Sequence, residues 1–355
     1  GDVEGGVTGN VTGNVTGSSG SCTGNAATAT IASGITTTAS VNTSGIVTAT
    51  SFVPTVGQLS HRNLIINGDM KISQRSTSQA SIASGTTHVL DRWGLEVTSG
   101  GGAQVTMSQD NQAPEGFSKS LKIDVTTADT SLGGGERWQV RQRIEGQDLQ
   151  HLKYGTSNAL QCIFSFFVRS NVTGTFAVGL YQADGSKINS GNYTINSANT
   201  WEKKTITING NTADAINDDN TLGFQIGIGI AAGTNYTSGT ATGNWSSSNN
   251  TQYPSQTNLL ASTSNELFFT GCQLEVGPVA TPFEHRSIGD ELVRCQRYCF
   301  VLPQSHQGSA SNSQYIDMYI YHPTIMRAKP TVTQVSPQNI GGYDSNESGT
   351  YASRF

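Results

Sequence analysis

The sequence predicts an all-β protein: an N-terminal intertwined trimeric β shaft, an antiparallel β-sandwich of jelly-roll type, one short helix and a small C-terminal β domain. Three observations carry this. A four-residue unit, Val-Thr-Gly-Asn, recurs from Val7 through Val11 to Val15. Short apolar alternations of strand length then follow one another over residues 61–286, broken by turn dipeptides such as Asp184-Gly185 and Asn209-Gly210. One stretch, Ser287 to about Phe300, has helical spacing instead.

The opening repeat offers one small apolar side chain per four residues among Thr, Gly, Asn and Ser. Alone it buries too little surface to offset the roughly 1–2 kcal/mol of backbone entropy that each ordered residue costs. Identical copies stacked about a common axis would share the Val row as a core and pair their amides between chains. Residues 1–60 are therefore expected to form a homotrimeric shaft, with β-branched Ile31, Ile35, Val41, Ile46 and Val47 favouring extended backbone. A disordered linker would have the same composition, and the regular spacing argues for order. Because the chain opens on Gly1 without an initiator Met, a further upstream region is expected.

Composition shifts at Ser60. NLIINGDMKISQR, over Asn63–Arg75, and then DRWGLEV open the sandwich region. Strands are expected at Gln104–Ser108, Lys119–Val125, Trp138–Ile144, Leu160–Ser170, Thr175–Gln182, Lys203–Ile208, Leu222–Ile230 and Glu266–Val276. The helix of residues 287–300 starts with Ser287 as cap and Asp290 three residues on, as in a capping box, and carries Ile288, Leu292, Cys295 and Cys299 as one apolar stripe. That stripe suits packing either near a trimer axis or on the chain's own sandwich. Tyr315–His322 and Thr331–Val335 read as strands of a distal domain over residues 301–355, which ends without an obvious closing strand.

Several function classes lose support at this level. The net charge is −5 and the 20 Lys and Arg residues are scattered, so no nucleic-acid partner is expected. The longest apolar stretch, Leu222–Ala232, is interrupted by Gly and Gln and too short for a helical span, so no membrane insertion is expected. Five cysteines at irregular spacing read as reduced, with Cys162 and Cys272 packed in strands and Cys295 and Cys299 on one helix face. Six unpaired His residues, and Asp214, Asp218 and Asp219 without an EF-hand pattern, give no metal site and no cofactor.

Sugar recognition stacks aromatic faces on rings and orients hydroxyls with amides and carboxylates. Tyr236, Trp245 and Tyr253, set among Asn, Ser and Thr with no apolar alternation to bury them, are the candidate glycan contacts; packing or interchain contact is the competing role. Trp93 and Trp201 open alternating strands and read as packing residues. Trp138 stays open, because Arg137, Arg141 and Arg143 flank it and arginines stack on indole or meet anionic sugars. Glu96, Asp124, Glu136, Glu145 and Glu275 lie on or beside expected strands, but spacing pairs no two of them, so no catalytic residue is assigned.

NLIINGDMKISQR, DRW at Asp91–Trp93, and CQLEVGPVATPFEHRSIGDELVRCQRYC over Cys272–Cys299 closely resemble phage tail-fibre proteins of marine and cyanobacterial viruses. The likeness covers about residues 63–330, and the Val-Thr-Gly opening is similar to the trimeric shafts of such fibres. It implies a carbohydrate-binding-module-like jelly roll in a homotrimeric virion component that is assembled in the host cytoplasm. Its implied partners are other tail proteins, through the upstream region, and bacterial surface glycans, which it would hold for host attachment. Many such modules hold calcium with an acidic residue on the last strand. Here Thr270, Gly271 and Cys272 stand at that place, so no calcium site is carried over. The alternatives are a polysaccharide-degrading tail spike and, from sequons such as Asn171-Val-Thr, a secreted adhesive glycoprotein.

Overall fold

The computed structural model describes residues 60–241, 243–301 and 322–331. Twelve strands are described: β1 Ser78–Ile82, β2 Gly85–His88, β3 Gly94–Thr98, β4 Gln104–Asp110, β5 Ser120–Thr127, β6 Arg137–Glu145, β7 Cys162–Ser170, β8 Gly174–Gln182, β9 Lys187–Ile195, β10 Glu202–Ile208, β11 Leu222–Ala232 and β12 Glu266–Val276. They form two six-stranded sheets, ordered β1-β4-β5-β12-β7-β10 and β2-β3-β6-β11-β8-β9, with every neighbouring pair antiparallel. The predicted two-sheet sandwich is thus observed. The expected shaft lies outside the described residues apart from Ser60, and the two distal strands apart from His322 and Thr331.

Strand periodicity builds the core. On β7, Cys162, Phe164, Phe166 and Val168 point inward; facing them on the other sheet are Phe224, Ile226, Ile228 and Ile230 of β11 and Phe176, Val178 and Leu180 of β8. β12 needs a correction to this alternation to keep Leu267, Phe269, Cys272 and Leu274 all in the core. Its register slips between Thr270 and Gln273, at Gly271 with φ +64°. A β-bulge inserts one residue and so restores the inward phase. Phe117 and Phe167 cover the bulge so closely that a Cβ at Gly271 would lie 2.8 Å from the Phe117 ring.

Trp138 is fully buried, between Val97 and Ala231 in register, whereas Arg137, Arg141 and Arg143 stand on the opposite face of β6. The possibility that these arginines stack on the indole is thereby closed, because odd and even positions of one strand never share a face. Trp93 is buried edge-on to Phe269 and donates to the Asn67 carbonyl at 2.9 Å. Trp201 meets Phe268 edge-on at 6.3 Å. The four described cysteines are free, and Cys162, Cys272 and Cys295 are buried.

A short helix, α1, covers Thr234–Thr237, and α2 covers Ile288–Gln296. α2 starts as predicted, with the Ser287 hydroxyl accepting from the Asp290 amide at 3.2 Å. Its buried face differs from the expected stripe: Ile288 is 59% exposed, while Glu291 and Cys295 are buried. The reason is electrostatic. Glu291 accepts from the Asn67 backbone amide and pairs with Arg286 at 3.2 Å, so the helix docks by a carboxylate rather than by isoleucine.

Residues 62–75 form no ladder strand yet are held along residues 272–291. Leu64 N–H donates to the Leu274 carbonyl and Cys272 N–H to that of Gly68. Asn63 Oδ1 accepts from the Ile65 and Leu274 amides, and Asn67 bonds the backbone of Ile72 and Asp91. Arg286 donates to the carbonyls of Asn63 and Ile65, and Glu284 accepts from Asn63 N–H. We call this arrangement the clasp.

Candidate functional site

The outward face of sheet β2-β3-β6-β11-β8-β9 carries a polar network centred on Glu96 together with Arg143, Gln225 and Tyr181. Cross-strand register sets its rows. Arg143, Gln225 and Tyr181 stand side by side across β6, β11 and β8, and Arg141, Gly227 and Gly179 form the next row on the same face. With strands about 4.8 Å apart, Arg143 and Tyr181 are roughly 10 Å apart at their Cα atoms.

Glu96 of β3 anchors the polar network. It pairs with Arg141 and with Arg137 at 3.3 Å and accepts from Gln139 Nε2 at 2.5 Å. Arg141 also donates to Gln225 Oε1 at 3.1 Å and to Thr86 Oγ1 at 3.2 Å. Arg143 is exposed, and its Nε donates to the same Gln225 oxygen at 3.2 Å. Among the described residues Arg143 has no carboxylate partner, and its two terminal nitrogens and the Gln225 amide nitrogen make no hydrogen bond. Tyr181 is half-buried, its hydroxyl 3.5 Å from Ser186 Oγ.

Residues 233–241 and 243–257 roof the other half of this face. Tyr253 is fully buried there, its hydroxyl donating to Gln139 Oε1. The floor is glycine because nothing larger fits: a Cβ at Gly229 would lie 2.8 Å from the Tyr253 ring, one at Gly179 3.2 Å from it, and one at Gly227 would strike its hydroxyl. Gln252 accepts from Arg137 at 3.0 Å, and Gln256 accepts from Ala177 N–H at 2.9 Å, fixing the roof to β6 and to β8.

The three sequence-selected aromatics fall in different settings. Tyr236 and Tyr253 come together, the Tyr253 amide donating to the Tyr236 carbonyl at 2.9 Å. Tyr236 is half-buried at the rim, with the Arg137 guanidinium 5.0 Å from its ring. Tyr253 offers no open ring face in this arrangement. Trp245 is apart from both: its Nε1 donates to the Asn209 carbonyl at 2.7 Å, and its ring stacks on Phe224 and meets Tyr154 edge-on. It closes an end of the core. Sequence reasoning passed over Tyr181 and Gln225, although the alternation of RWQVRQRIE and TFAVGLYQ already puts Arg143 and Tyr181 opposite the core residues.

Four arginines, Arg75, Arg92, Arg141 and Arg143, surround His88 at the β2 edge. His88 keeps an exposed edge, and partial desolvation and then these positive charges push its pKa down to about 4. Arg92 lies over the Tyr298 ring, 3.3 Å from its centroid, and donates to the Arg143 carbonyl. Nearby, burial opposes ionisation of Glu145, but bonds from Arg297 at 2.7 Å and Tyr298 at 2.5 Å prevail and lower its pKa. Two other carboxylates, Asp129 and Glu136, converge over Gly101, and Glu136 Oε2 is buried without a partner. No cluster of three or more His, Cys, Asp or Glu residues suited to a metal occurs among the described residues.

No family model and no curated protein matches the sequence. Among solved structures, the enzymatically active domain of tailspike protein 4 from bacteriophage CBA120 is similar over 61% of this chain and 21% of its own, at 13% identity and TM-score 0.31. The matched region thus spans about a fifth of the tailspike's length. A sugar-binding protein of Bacteroides thetaiotaomicron, described as putative, covers 61% of this chain and 100% of its own, at 11% identity and TM-score 0.34. The family 11 carbohydrate-binding module of a Clostridium thermocellum cellulase covers 56% and 99%, at 12% identity and TM-score 0.28. At such scores these likenesses carry no argument about what this chain binds.

Proposed function

We propose that the sandwich is the glycan-binding body of a viral tail fibre, and that the chain attaches a virion to bacterial surface glycans as a homotrimer. The observation that carries the glycan reading is the row of Arg143, Gln225 and Tyr181, in which exposed Arg143 and half-buried Tyr181 flank a Gln225 that is itself buried. The tyrosine ring supplies apolar area for a sugar face, and the guanidinium that Gln225 positions orients hydroxyls. Tyr236 at the rim supplies a second contact, Tyr253 holds the roof that ends the row, and Trp245 anchors the far end of the same segment.

The tail-fibre role rests on the sequence resemblance of the Asn63–Arg75 and Cys272–Cys299 blocks and on the shaft repeat. Three weak sites on one stem raise effective concentration, so modest single-site affinity suffices for attachment. Other tail proteins would join through the upstream region. The secreted-glycoprotein alternative is separated by intact mass, which stays unmodified for a virion component made in bacterial cytoplasm.

The test is retention of the full chain on purified host envelope polysaccharide, with competition of cell attachment. Tyr181→Ala is expected to abolish retention while the protein stays folded. Wild-type retention in that variant would contradict the site. Release of reducing ends, lost in Glu136→Gln, would replace binding with cleavage, which is the reading that the Asp129 and Glu136 convergence favours.

A further inference from the structure

Resting on that glycan-binding reading, we propose that the ligand is an acidic glycan, its anionic group seated on the Arg143 guanidinium beside His88 while an adjoining sugar ring lies on Tyr181. Three features of the outer face support this assignment.

The first is an unbalanced charge. Most other arginines around the face and the clasp are answered by carboxylates: Arg137 and Arg141 by Glu96, Arg75 by Asp91 at 3.8 Å, Arg286 by Glu284 and Glu291, and Arg297 by Glu145, whereas Arg92, like Arg143, has no ion pair among the described residues and is held by the Tyr298 ring and the Arg143 carbonyl. Arg143 is left with only an amide oxygen on its Nε. On the strands of this face Glu96 and Glu145 are the acidic residues, and both are committed to arginines. A planar guanidinium with two free terminal nitrogens matches a carboxylate or sulfate bidentately, a geometry that a neutral hydroxyl does not use.

The second is the surroundings of that arginine. Arg92 is fixed against the Tyr298 ring and bonded to the backbone of Arg143, so a second guanidinium is held near the first without closing it off. Asp91 and Glu145, which face this corner from the other side, are taken up by Arg75 and Gln74, and by Arg297 and Tyr298. His88 lies across from Gly94, where a Cβ would come 2.8 Å from its Nε2, so the imidazole covers Gly94 next to the Arg141 row. It is neutral at ordinary pH and adds a polar ring without a negative charge.

The third is contrast with the whole chain. With a net charge of −5, the protein repels polyanions in general. A local cationic corner on such a chain selects where an acidic polymer settles. Tyr181, two strands away, adds the stacking that makes the contact specific to sugar rather than to any anion.

The experiment uses affinity electrophoresis of the full chain through polygalacturonate, its fully methyl-esterified form, dextran sulfate and dextran. The expected result is retardation by polygalacturonate, by dextran sulfate or by both, at least tenfold weaker with the matching uncharged polymer. Arg143→Gln and Tyr181→Ala each weaken it at least tenfold, and Lys119→Gln, on a distant loop, does not. Polygalacturonate alone identifies the anion as a carboxylate; dextran sulfate alone identifies it as a sulfate. Retardation that depends on Tyr181 but is equal for charged and uncharged polymers overturns the acidic assignment and leaves the glycan reading standing. Retardation by none of the four also overturns the acidic assignment, and if host polysaccharide is likewise not retained, the glycan reading falls with it.

Discussion

The clasp and the outer face of sheet β2-β3-β6-β11-β8-β9 are made from the same side chains, arginine, carboxylate and amide, and differ in how far their bonds are closed, although Arg286 Nε in the clasp is buried without a partner. In the clasp, Arg286 is 8% exposed, is paired with Glu284 and Glu291 and bonds two backbone carbonyls, and Asn67 bonds backbone on two neighbouring segments. On the outer face, Arg143 and Gln225 stand in a half-finished network. The blocks that resemble tail-fibre proteins, Asn63–Arg75, Asp91–Trp93 and Cys272–Cys299, supply the clasp, whereas Arg143, Gln225 and Tyr181 lie outside them. The clasp is thus spelled by contiguous blocks of sequence, whereas the outer face has to be read from the register of separate strands.

The largest effect is expected in the clasp. Glu291→Ala leaves the buried Arg286 guanidinium without that carboxylate, and the loss should be about 3–5 kcal/mol in urea unfolding, the usual cost of breaking one side of a buried pair. A loss below about 1 kcal/mol would break the comparison, since it would make the clasp as dispensable as a surface pair. The roof comes next. Gly227→Val drives a side chain into the Tyr253 hydroxyl and should cost about 1–3 kcal/mol by overpacking. An unchanged midpoint would show that Tyr253 does not sit on the glycine floor.

A smaller effect is expected from pH, because His88 is exposed and solvent screens the repulsion that lowers its pKa. The unfolded His88 protonates near 6.5 and the folded one near 4, so the unfolded chain takes the proton first as pH falls. The contribution is complete above about pH 6.5, where both forms are neutral, and stability declines from there toward pH 4. Thermal midpoints of His88→Gln should fall less steeply over that window than those of the parent. Equal slopes would remove the four-arginine corner from the account. The smallest change is at the row itself: Arg143→Gln should alter stability by no more than about 0.5 kcal/mol, as exposed substitutions do, and thereby separate receptor face from scaffold.

Much of the fold was legible from apolar alternation, and the misses have physical causes. β12 was read residue for residue, Glu266–Val276, and β6, β7, β8 and β11 to within two residues at each end, because their inward positions are large and aliphatic or aromatic. β1, β2 and β9 were not read as strands. All three lie at sheet edges: β1, SQASI, and β2, GTTH, are short and largely polar, and in β9 the run Asn189–Asn192 separates Ile188 from Tyr193 and Ile195 and so breaks the alternation signal. The α2 stripe was misplaced because helical periodicity ranks Ile288 above Glu291 and says nothing of the Asn67 amide and Arg286 that await the carboxylate.

The candidate site was less legible for a related reason. Aromatic residues in a polar segment stand out in a sequence, and so Tyr236, Trp245 and Tyr253 were selected. Tyr253 is drawn down by the absence of side chains at Gly179, Gly227 and Gly229, three positions that lie on two other strands and are invisible to local context. Tyr181 sits within an apolar run, where it reads as core until register places it beside Gln225.

The most direct measurement is the pairing of unfolding midpoint and host-polysaccharide retention in Tyr181→Ala. The expected result is a midpoint close to that of the parent with retention lost. Retention at the parent's strength by a folded Tyr181→Ala protein would contradict the claim that the open row of the outer face is where this chain meets its ligand.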